Sequence, residues 1–165
     1  MSGGGDAPGI NAVIRAVVRK GIQNYGYEIV GIKDGWLGLL ENDYVPLDLK
    51  SASGILPRGG SILGTSRTNP FKREKDAETV LKNAKKAGIS AVVAIGGDDT
   101  LSVAYKMGEL KIRELRRFSE QQLMEKFDIR EFHRIVLQNG CIPLNILENT
   151  VNKWISDFQS RINSL

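Results

Sequence analysis

The chain has 165 residues, of which 41% are hydrophobic and 25% charged, a composition typical of a globular protein that buries a core. Its 23 basic and 19 acidic side chains leave a formal charge of +4 spread along the sequence, which favours small anionic ligands and predicts no nucleic-acid partner. One cysteine excludes an internal disulfide bond, no apolar run reaches the roughly 18 residues that span a bilayer, and the start lacks signal-peptide character, so we expect a cytoplasmic protein without membrane contact.

The first 50 residues predict one helix and two strands. Apolar residues recur at helical spacing over residues 7–24, and Pro8 suits the first turn of that helix. Residues 28–32 form a short β-branched stretch, and residues 44–49 have the same character.

The middle of the chain predicts a loop, a helix and a buried strand. Residues 51–71 are dense in Gly, Ser and Thr, which suits a surface of backbone donors. Residues 76–87 have a helical pattern that stops at Gly88, and the wholly apolar residues 91–95 are typical of a parallel strand covered on both faces. Alternation of strand, glycine turn and helix predicts an open α/β sheet that binds ligands at the carboxyl ends of its strands.

The last third of the chain predicts helices only. They cover the residues from the GGDDT turn to 126, residues 128–138, and residues 143–162. Asp128 and Glu131 have the spacing of a capping box. One face of the third helix carries Leu147, Val151, Trp154, Ile155, Phe158 and Ile162. We therefore expect two domains, residues 1–107 and 108–165.

Two glycine loops have the pattern of a phosphate site. The run Gly3 to Gly5 precedes a helix, where backbone N–H groups and the helix dipole favour an anion, although the same run is also typical of a plain turn. The second loop places Asp98 and Asp99 at a helix N-terminus after a strand. These carboxylates either hold Mg²⁺ or cap the helix.

Several other polar residues have a functional and a structural interpretation. Arg67 is either a forked phosphate donor or a solvated surface arginine. Arg15 and Arg19 share a helix face, and their spacing favours a solvated one. His133 cannot form a zinc site by itself and Cys141 lacks a candidate base, so we interpret both as structural.

Four segments occur in the order and spacing of the phosphofructokinase family, which residues 2–107 resemble: GGGDAPGINAVIRAVVR, DGWLGLLE, LPRGGSILGTSRTNPF and VVAIGGDDTL. The resemblance implies an α/β fold and the glycolytic transfer of a phosphoryl group from a nucleotide or diphosphate to the 1-hydroxyl of fructose 6-phosphate. It implies that Gly4, Gly5 and Gly97 approach the donor phosphates, that Arg67 contacts them and stabilises the transferred charge, and that Asp98 holds Mg²⁺. It also admits fructose 6-phosphate and a second copy of the chain as partners.

Asp99 indicates which donor the resemblance favours. Nucleotide-using members have glycine at this position, whereas the diphosphate-using branch has aspartate. A carboxylate there would repel and crowd the α-phosphate of a nucleotide, so we expect diphosphate. Arg15 and Arg19 match a helix that binds a regulatory nucleotide in some bacterial members.

Parts of the family pattern are missing from these 165 residues. Only Met1 and Ser2 precede the glycine run, so we expect a partial open parallel sheet with flanking helices that lacks the usual first strand. The aspartate-rich catalytic segment resembling TIDND, its lysine and the sugar-phosphate domain do not occur either. Because transfer depends on positioning both reactants with metal and base, we expect little or no turnover from the chain alone.

Residues 105–155 resemble the C-terminal end of a bacterial family of helical proteins related to zinc metallopeptidases. The resemblance is carried by FDIREFH and by the NG and IPL segments, and the chain has no HExxH motif. Three hypotheses follow: a chimera that keeps an anion site without effective catalysis, a structural or interaction module, and a diphosphate-dependent phosphofructokinase completed by another chain. We favour them in that order.

Overall fold

The structure, a computed structural model, describes residues 1–3, 8–140 and 142–163. Gly4 and Gly5, both predicted phosphate contacts, and Cys141 lie outside the described residues. The chain forms two compact units, Met1–Tyr105 and Lys106–Leu165. Their assignment as domains 1–107 and 108–165 stays a prediction.

Strands and helices alternate through the first unit, and the second is helical, as the predicted α/β fold class requires. In chain order the elements are β1 (Ser2–Gly3), α1 (Ile10–Tyr25), β2 (Ile29–Ile32), α2 (Trp36–Glu41), β3 (Tyr44–Leu47), α3 (Asp76–Lys86), β4 (Ile95–Gly96), α4 (Asp98–Leu123), a short 3₁₀ turn (Met124–Lys126), α5 (Ile129–Leu137) and α6 (Leu144–Asn163). The predicted fold class is therefore confirmed.

Helix α1 forms from the predicted periodic segment but begins two residues after Pro8. Gly9 adopts φ 100° and precedes the helix, and Gly26 ends it with φ 63°, a backbone conformation that favours glycine. The buried side chains of the helix pack into the core of the first unit, which comprises Ile10, Ile14, Val18, Leu47, Ala52, Ile55 and Leu63. The loop 51–71 therefore contributes apolar side chains to the core as well as a polar surface.

Strand pairing differs from the sequence prediction in two respects. β1 pairs in parallel with β4, whereas β2 and β3 form a separate antiparallel pair, because the segment between them, α2, is too short for a parallel crossover. A two-residue strand also leads into the glycine run, where the sequence predicted that the usual first strand is missing.

The predicted buried strand at residues 91–95 was wrong in extent and burial. Only Ile95–Gly96 forms a strand, and Val92 and Val93 are 41% and 49% exposed. β1 is two residues long, so the ladder ends after two pairs. Among the described residues, no strand pairs with the other side of β4.

The second unit packs around one apolar cluster. Its buried members are Leu115, Leu123, Phe132, Ile135, Leu147, Val151 and Ile155, with Trp154 and Phe158 packed against them. The predicted stripe of α6 is thus confirmed for every member except Ile162, whose side chain is not described. Asp128 caps α5 by accepting a hydrogen bond from Arg130 N at 2.8 Å, but Glu131 bonds Arg134, so only half of the capping box forms.

Within residues 1–3, 8–140 and 142–163, no helix is both long and apolar enough to cross a bilayer.

Candidate functional site

The glycine run and the GGDDT turn both begin at the carboxyl ends of neighbouring parallel strands in the first unit. β1 and β4 are parallel, and Gly3 is the register partner of Gly96. The chain therefore enters the glycine run and the GGDDT turn from adjacent strand ends. A Cβ at Gly96 would overlap the carbonyl oxygen of Gly3, and one at Gly3 would lie 2.5 Å from Thr100 Oγ1. Glycine is therefore favoured at both positions: at Gly96 because the backbone of Gly3 is too close for a side chain, and at Gly3 because the Thr100 side chain fills the space.

The acidic pair lies in the first turn of α4. Asp98 and Asp99 are both exposed, and the turn is closed by a hydrogen bond of 3.0 Å from Leu101 N to Gly97 O. A carboxylate at a helix N-terminus stabilises the helix dipole, and an exposed one can also bind a cation. Gly97 is exposed as well, with nothing within 4 Å of the position that a Cβ would take. The first turn of α4 is thus open to a ligand.

The two carboxylates of this turn suit an Mg²⁺ ion that also binds a phosphate chain. Within the described ranges, no group of three or more His, Cys, Asp or Glu side chains could hold a metal by itself. Mg²⁺ usually keeps several waters and takes one or two protein carboxylates together with substrate phosphates. Asp98 and Asp99 supply that number of carboxylates, so the pair suits a metal that arrives with its anion.

Ser2 holds the loop 51–71 against β1. Its side chain is fully buried, and Ser2 Oγ lies 2.5 Å from Ser61 Oγ and donates to Gly64 O at 3.1 Å. Ser2 immediately precedes Gly3, so the strand that enters the glycine run also contacts the loop that carries Arg67. No local pattern in the sequence marks Ser2 as a site residue.

The turn before α2 joins the same contact. Gly35 has φ 62°, and a Cβ there would lie 3.1 Å from Ser2 O. Asp34 N donates to Leu63 O at 2.8 Å, and Ser66 Oγ donates to Asp34 O at 2.6 Å. Backbone groups of the DGWLG segment therefore fix both ends of residues 63–66.

Arg67 follows Ser66 directly and is exposed. Its position at the end of a segment anchored on β1 and on the turn at Asp34 leaves its guanidinium free to reach a ligand in solvent. Forked hydrogen bonds from such a guanidinium suit phosphate oxygens.

Trp36 joins the DGWLG segment to the acidic turn. Its side chain is 5% exposed, and Trp36 Nε1 donates to Thr100 O at 3.3 Å. The indole thus packs against the first turn of α4. Its hydrogen-bond acceptor, Thr100, directly follows Asp98 and Asp99 in sequence. No pattern within the DGWLG segment indicated this contact, because it joins residues 64 positions apart.

The backbone of Met1 extends the contact between β1 and the segment that leads into β4. Met1 N donates to Val93 O at 3.1 Å, and Met1 O accepts from Ile95 N at 3.1 Å. These hydrogen bonds hold the start of β1 beside residues 93–95.

The remaining candidate residues of the sequence lie on helices α1 and α5. Arg15 and Arg19 are half-buried on α1, in accord with a partly solvated face. His133 is exposed, with its ring centroid 6.0 Å from that of Phe132.

Comparisons with known proteins agree on one family. A family model described as phosphofructokinase matches residues 1–152. A pyrophosphate–fructose 6-phosphate 1-phosphotransferase of Streptomyces coelicolor is 54% identical over 109 residues, which cover 66% of this chain and 32% of the relative. An ATP-dependent 6-phosphofructokinase 3 of the same organism is 46% identical over 104 residues, which cover 63% of this chain and 30% of the relative.

A solved structure extends the comparison to the fold. The T-state phosphofructokinase of Pichia pastoris superimposes with a TM-score of 0.61 at 32% identity, covering 81% of this chain and 14% of that one. The chain spans about a third of the length of the curated relatives it matches.

Proposed function

The chain belongs to the phosphofructokinase family, and from this premise we propose that its first unit binds the phosphates of a phosphoryl donor together with Mg²⁺. The observation that carries the proposal is the pairing of Gly3 with Gly96, which starts the glycine run and the GGDDT turn at one sheet edge. Backbone N–H groups of such turns are suited to an anion, and the N-terminus of α4 adds partial positive charge. Gly4, Gly5 and Gly97 are the proposed backbone contacts.

Asp98 is the proposed metal ligand. Its exposed carboxylate lies in the first turn of α4, where Mg²⁺ bound to it would also reach a phosphate held at the glycine turn. When bound, the metal would neutralise charge on the phosphoryl group during transfer. Arg67 would supply further positive charge to the same phosphates from the anchored loop.

Diphosphate is the donor that we propose. Asp99 adds a negative charge beside Asp98, and this charge disfavours the additional α-phosphate of a nucleotide more than it disfavours a two-phosphate ligand. The relatives include one named for pyrophosphate and one named for ATP, so family membership alone leaves both donors open.

We further propose that the chain alone has little or no turnover of fructose 6-phosphate. The family reaction places the 1-hydroxyl of that sugar in line with the donor and needs a base to accept its proton. The aspartate-rich segment that supplies the base in the family does not occur in the 165 residues. Binding without efficient transfer is the expected behaviour.

We also propose that the helical tail has a separate origin from the first unit. The curated relatives match 66% and 63% of the chain. Residues 105–155, which include FDIREFH, resemble a different family of helical proteins. The family model, by contrast, matches as far as residue 152. Sequencing of the coding DNA across codons 95–115 tests whether one reading frame encodes both pieces, and a frame break there would show that the two pieces do not belong to one gene.

Isothermal titration tests the binding function. We expect Mg²⁺ with diphosphate to bind in the millimolar range or tighter, and Asp98→Asn to weaken that binding at least tenfold, because the metal loses an anionic ligand. Asp157→Asn, at an exposed carboxylate of α6, is the matched control and should leave binding unchanged. Absence of heat and of a thermal shift at millimolar ligand would refute the proposal.

A second candidate function is completion of an active enzyme by another chain. The exposed Val92 and Val93 favour it, because a further segment along β4 would cover apolar area that this chain leaves in solvent. A coupled assay for fructose 1,6-bisphosphate would detect such activity, and activity indifferent to Asp98→Asn would exclude this site as its source. A purely structural module would instead unfold cooperatively and bind no anion.

A further inference from the structure

Asn11 makes an unusual pair of contacts for a residue on an amphipathic helix. It lies on α1 between two core residues and is 2% exposed. Asn11 Nδ2 donates to Arg58 O at 2.9 Å, and Asn11 Oδ1 accepts from Ile62 N at 3.0 Å. One side chain thus satisfies a backbone acceptor and a backbone donor of the loop 51–71.

Few other side chains can replace this amide. An aspartate in the same place keeps an acceptor for Ile62 N but has no donor for Arg58 O, and a leucine provides neither. A buried backbone group left without a partner costs free energy, so the loop would move to find water. The contact therefore depends on the amide group and not only on its volume.

The backbone that Asn11 holds continues without interruption to Arg67. Past Ile62, the loop is held by Ser2 Oγ at Gly64 O and by Asp34 N at Leu63 O. Ser66 Oγ then bonds Asp34 O, and Arg67 is the next residue. Asn11 is the first of these anchors and the one supplied by α1, the helix that follows the glycine run in sequence.

We propose that Asn11 is a positioning residue for the phosphate site, which acts by setting where Arg67 is presented relative to α1. This inference rests on the proposed function and deepens it. Asn11 itself makes no proposed contact with the ligand. Its effect on binding passes through the loop 58–66 to the guanidinium of Arg67.

A double-mutant cycle tests the proposal on the full chain. The dissociation constant for Mg²⁺ with diphosphate is measured for the wild type, Asn11→Asp, Arg67→Ala and the combined variant. We expect Asn11→Asp to weaken binding about tenfold when Arg67 is present and less than about twofold in the Arg67→Ala background. Asn24→Asp adds the same charge at an exposed position of α1 and is the matched control, for which we expect no change.

Hydrogen exchange at the amide of Ile62 provides a second measurement without ligand. We expect Asn11→Leu to speed exchange at Ile62 while the amides of Ile14 and Val18 stay protected, whereas Asn11→Asp keeps Ile62 protected. Equal losses of affinity in both Arg67 backgrounds, or unchanged exchange at Ile62 in Asn11→Leu, would overturn the positioning role. A wild type that binds no diphosphate would instead refute the proposed function, and the two failures are therefore distinguishable.

Discussion

Gly3 and Gly96 are register partners in the parallel pair of β1 and β4, and a Cβ at Gly96 would overlap the carbonyl oxygen of Gly3. The same Cβ would lie 2.8 Å from Thr100 Oγ1. This contact brings the strand before the glycine run against the first turn of α4. The geometry of the candidate phosphate site therefore depends on two residues without side chains.

Substitution of Gly96 tests this contact. We expect Gly96→Ala to lower the free energy of unfolding by about 1–3 kcal/mol, because the added methyl group forces the β1 backbone or Thr100 to move. Gly97→Ala is the matched control, since nothing lies within 4 Å of its Cβ position, and we expect a change within about 0.5 kcal/mol. Urea denaturation of both variants measures the difference, and equal stabilities would contradict the close approach.

Asp99 controls donor preference in the proposed site. We expect Asp99→Asn to raise the affinity for Mg²⁺ with ATP relative to Mg²⁺ with diphosphate by about tenfold, because a repulsive charge beside the α-phosphate is removed. Competition titration measures the ratio for each variant. Asp99→Gly also removes the bulk of the side chain, so a larger ratio for glycine than for asparagine would separate crowding from charge. An unchanged ratio in both variants would show that Asp99 does not select the donor.

Glu148 provides the ion pair that joins α4 to α6. Lys111 Nζ lies 3.0 Å from Glu114 Oε1 and 3.1 Å from Glu148 Oε1. Burial alone would lower the pKa of Lys111, but the hydrogen bonds to these two carboxylates outweigh burial and raise the pKa. The cation therefore stays charged in the folded state, and its attraction to Glu148 contributes to packing of the second unit.

Removal of the Glu148 carboxylate should lower the free energy of unfolding measurably. We expect Glu148→Ala to lower the free energy of unfolding by about 1 kcal/mol, because the Lys111 side chain is only 16% exposed. Glu120→Ala removes an exposed pair within α4, at 2.8 Å from Arg116, and should cost less than about 0.5 kcal/mol. Denaturation in low and high salt measures both, and a larger loss for Glu120 would contradict this assignment.

Local sequence patterns predicted the long helices but missed the six-residue α2 (Trp36–Glu41). The helix predicted to stop at Gly88 is α3, which ends at Lys86 shortly before Gly88 with its φ of 69°. The stripe that begins at Leu147 predicted the buried face of α6, and Asp128 predicted the start of α5. These signals act between residues a few positions apart, so the amino-acid order contains them directly.

Strand extent and site geometry depended on partners distant in sequence. The apolar run at Val92 and Val93 predicted a buried strand, but burial requires a neighbour on each side, and β1 provides two residues on one side. The contact of Asn11 with Ile62 was likewise missed, although a polar residue between the core positions Ile10 and Ile14 is the signal that could have identified it.

The sequence by itself determined the family, the helix boundaries of the tail and the residue types of a phosphate site, since each is encoded in short motifs. Only the tertiary structure decided that Gly3 meets Gly96 and that Ser2 and Asn11 anchor the loop of Arg67. The physical reason is that hydrogen bonds between residues about 50 to 90 positions apart depend on how strands and loops register in space. No local pattern of side chains specifies that register.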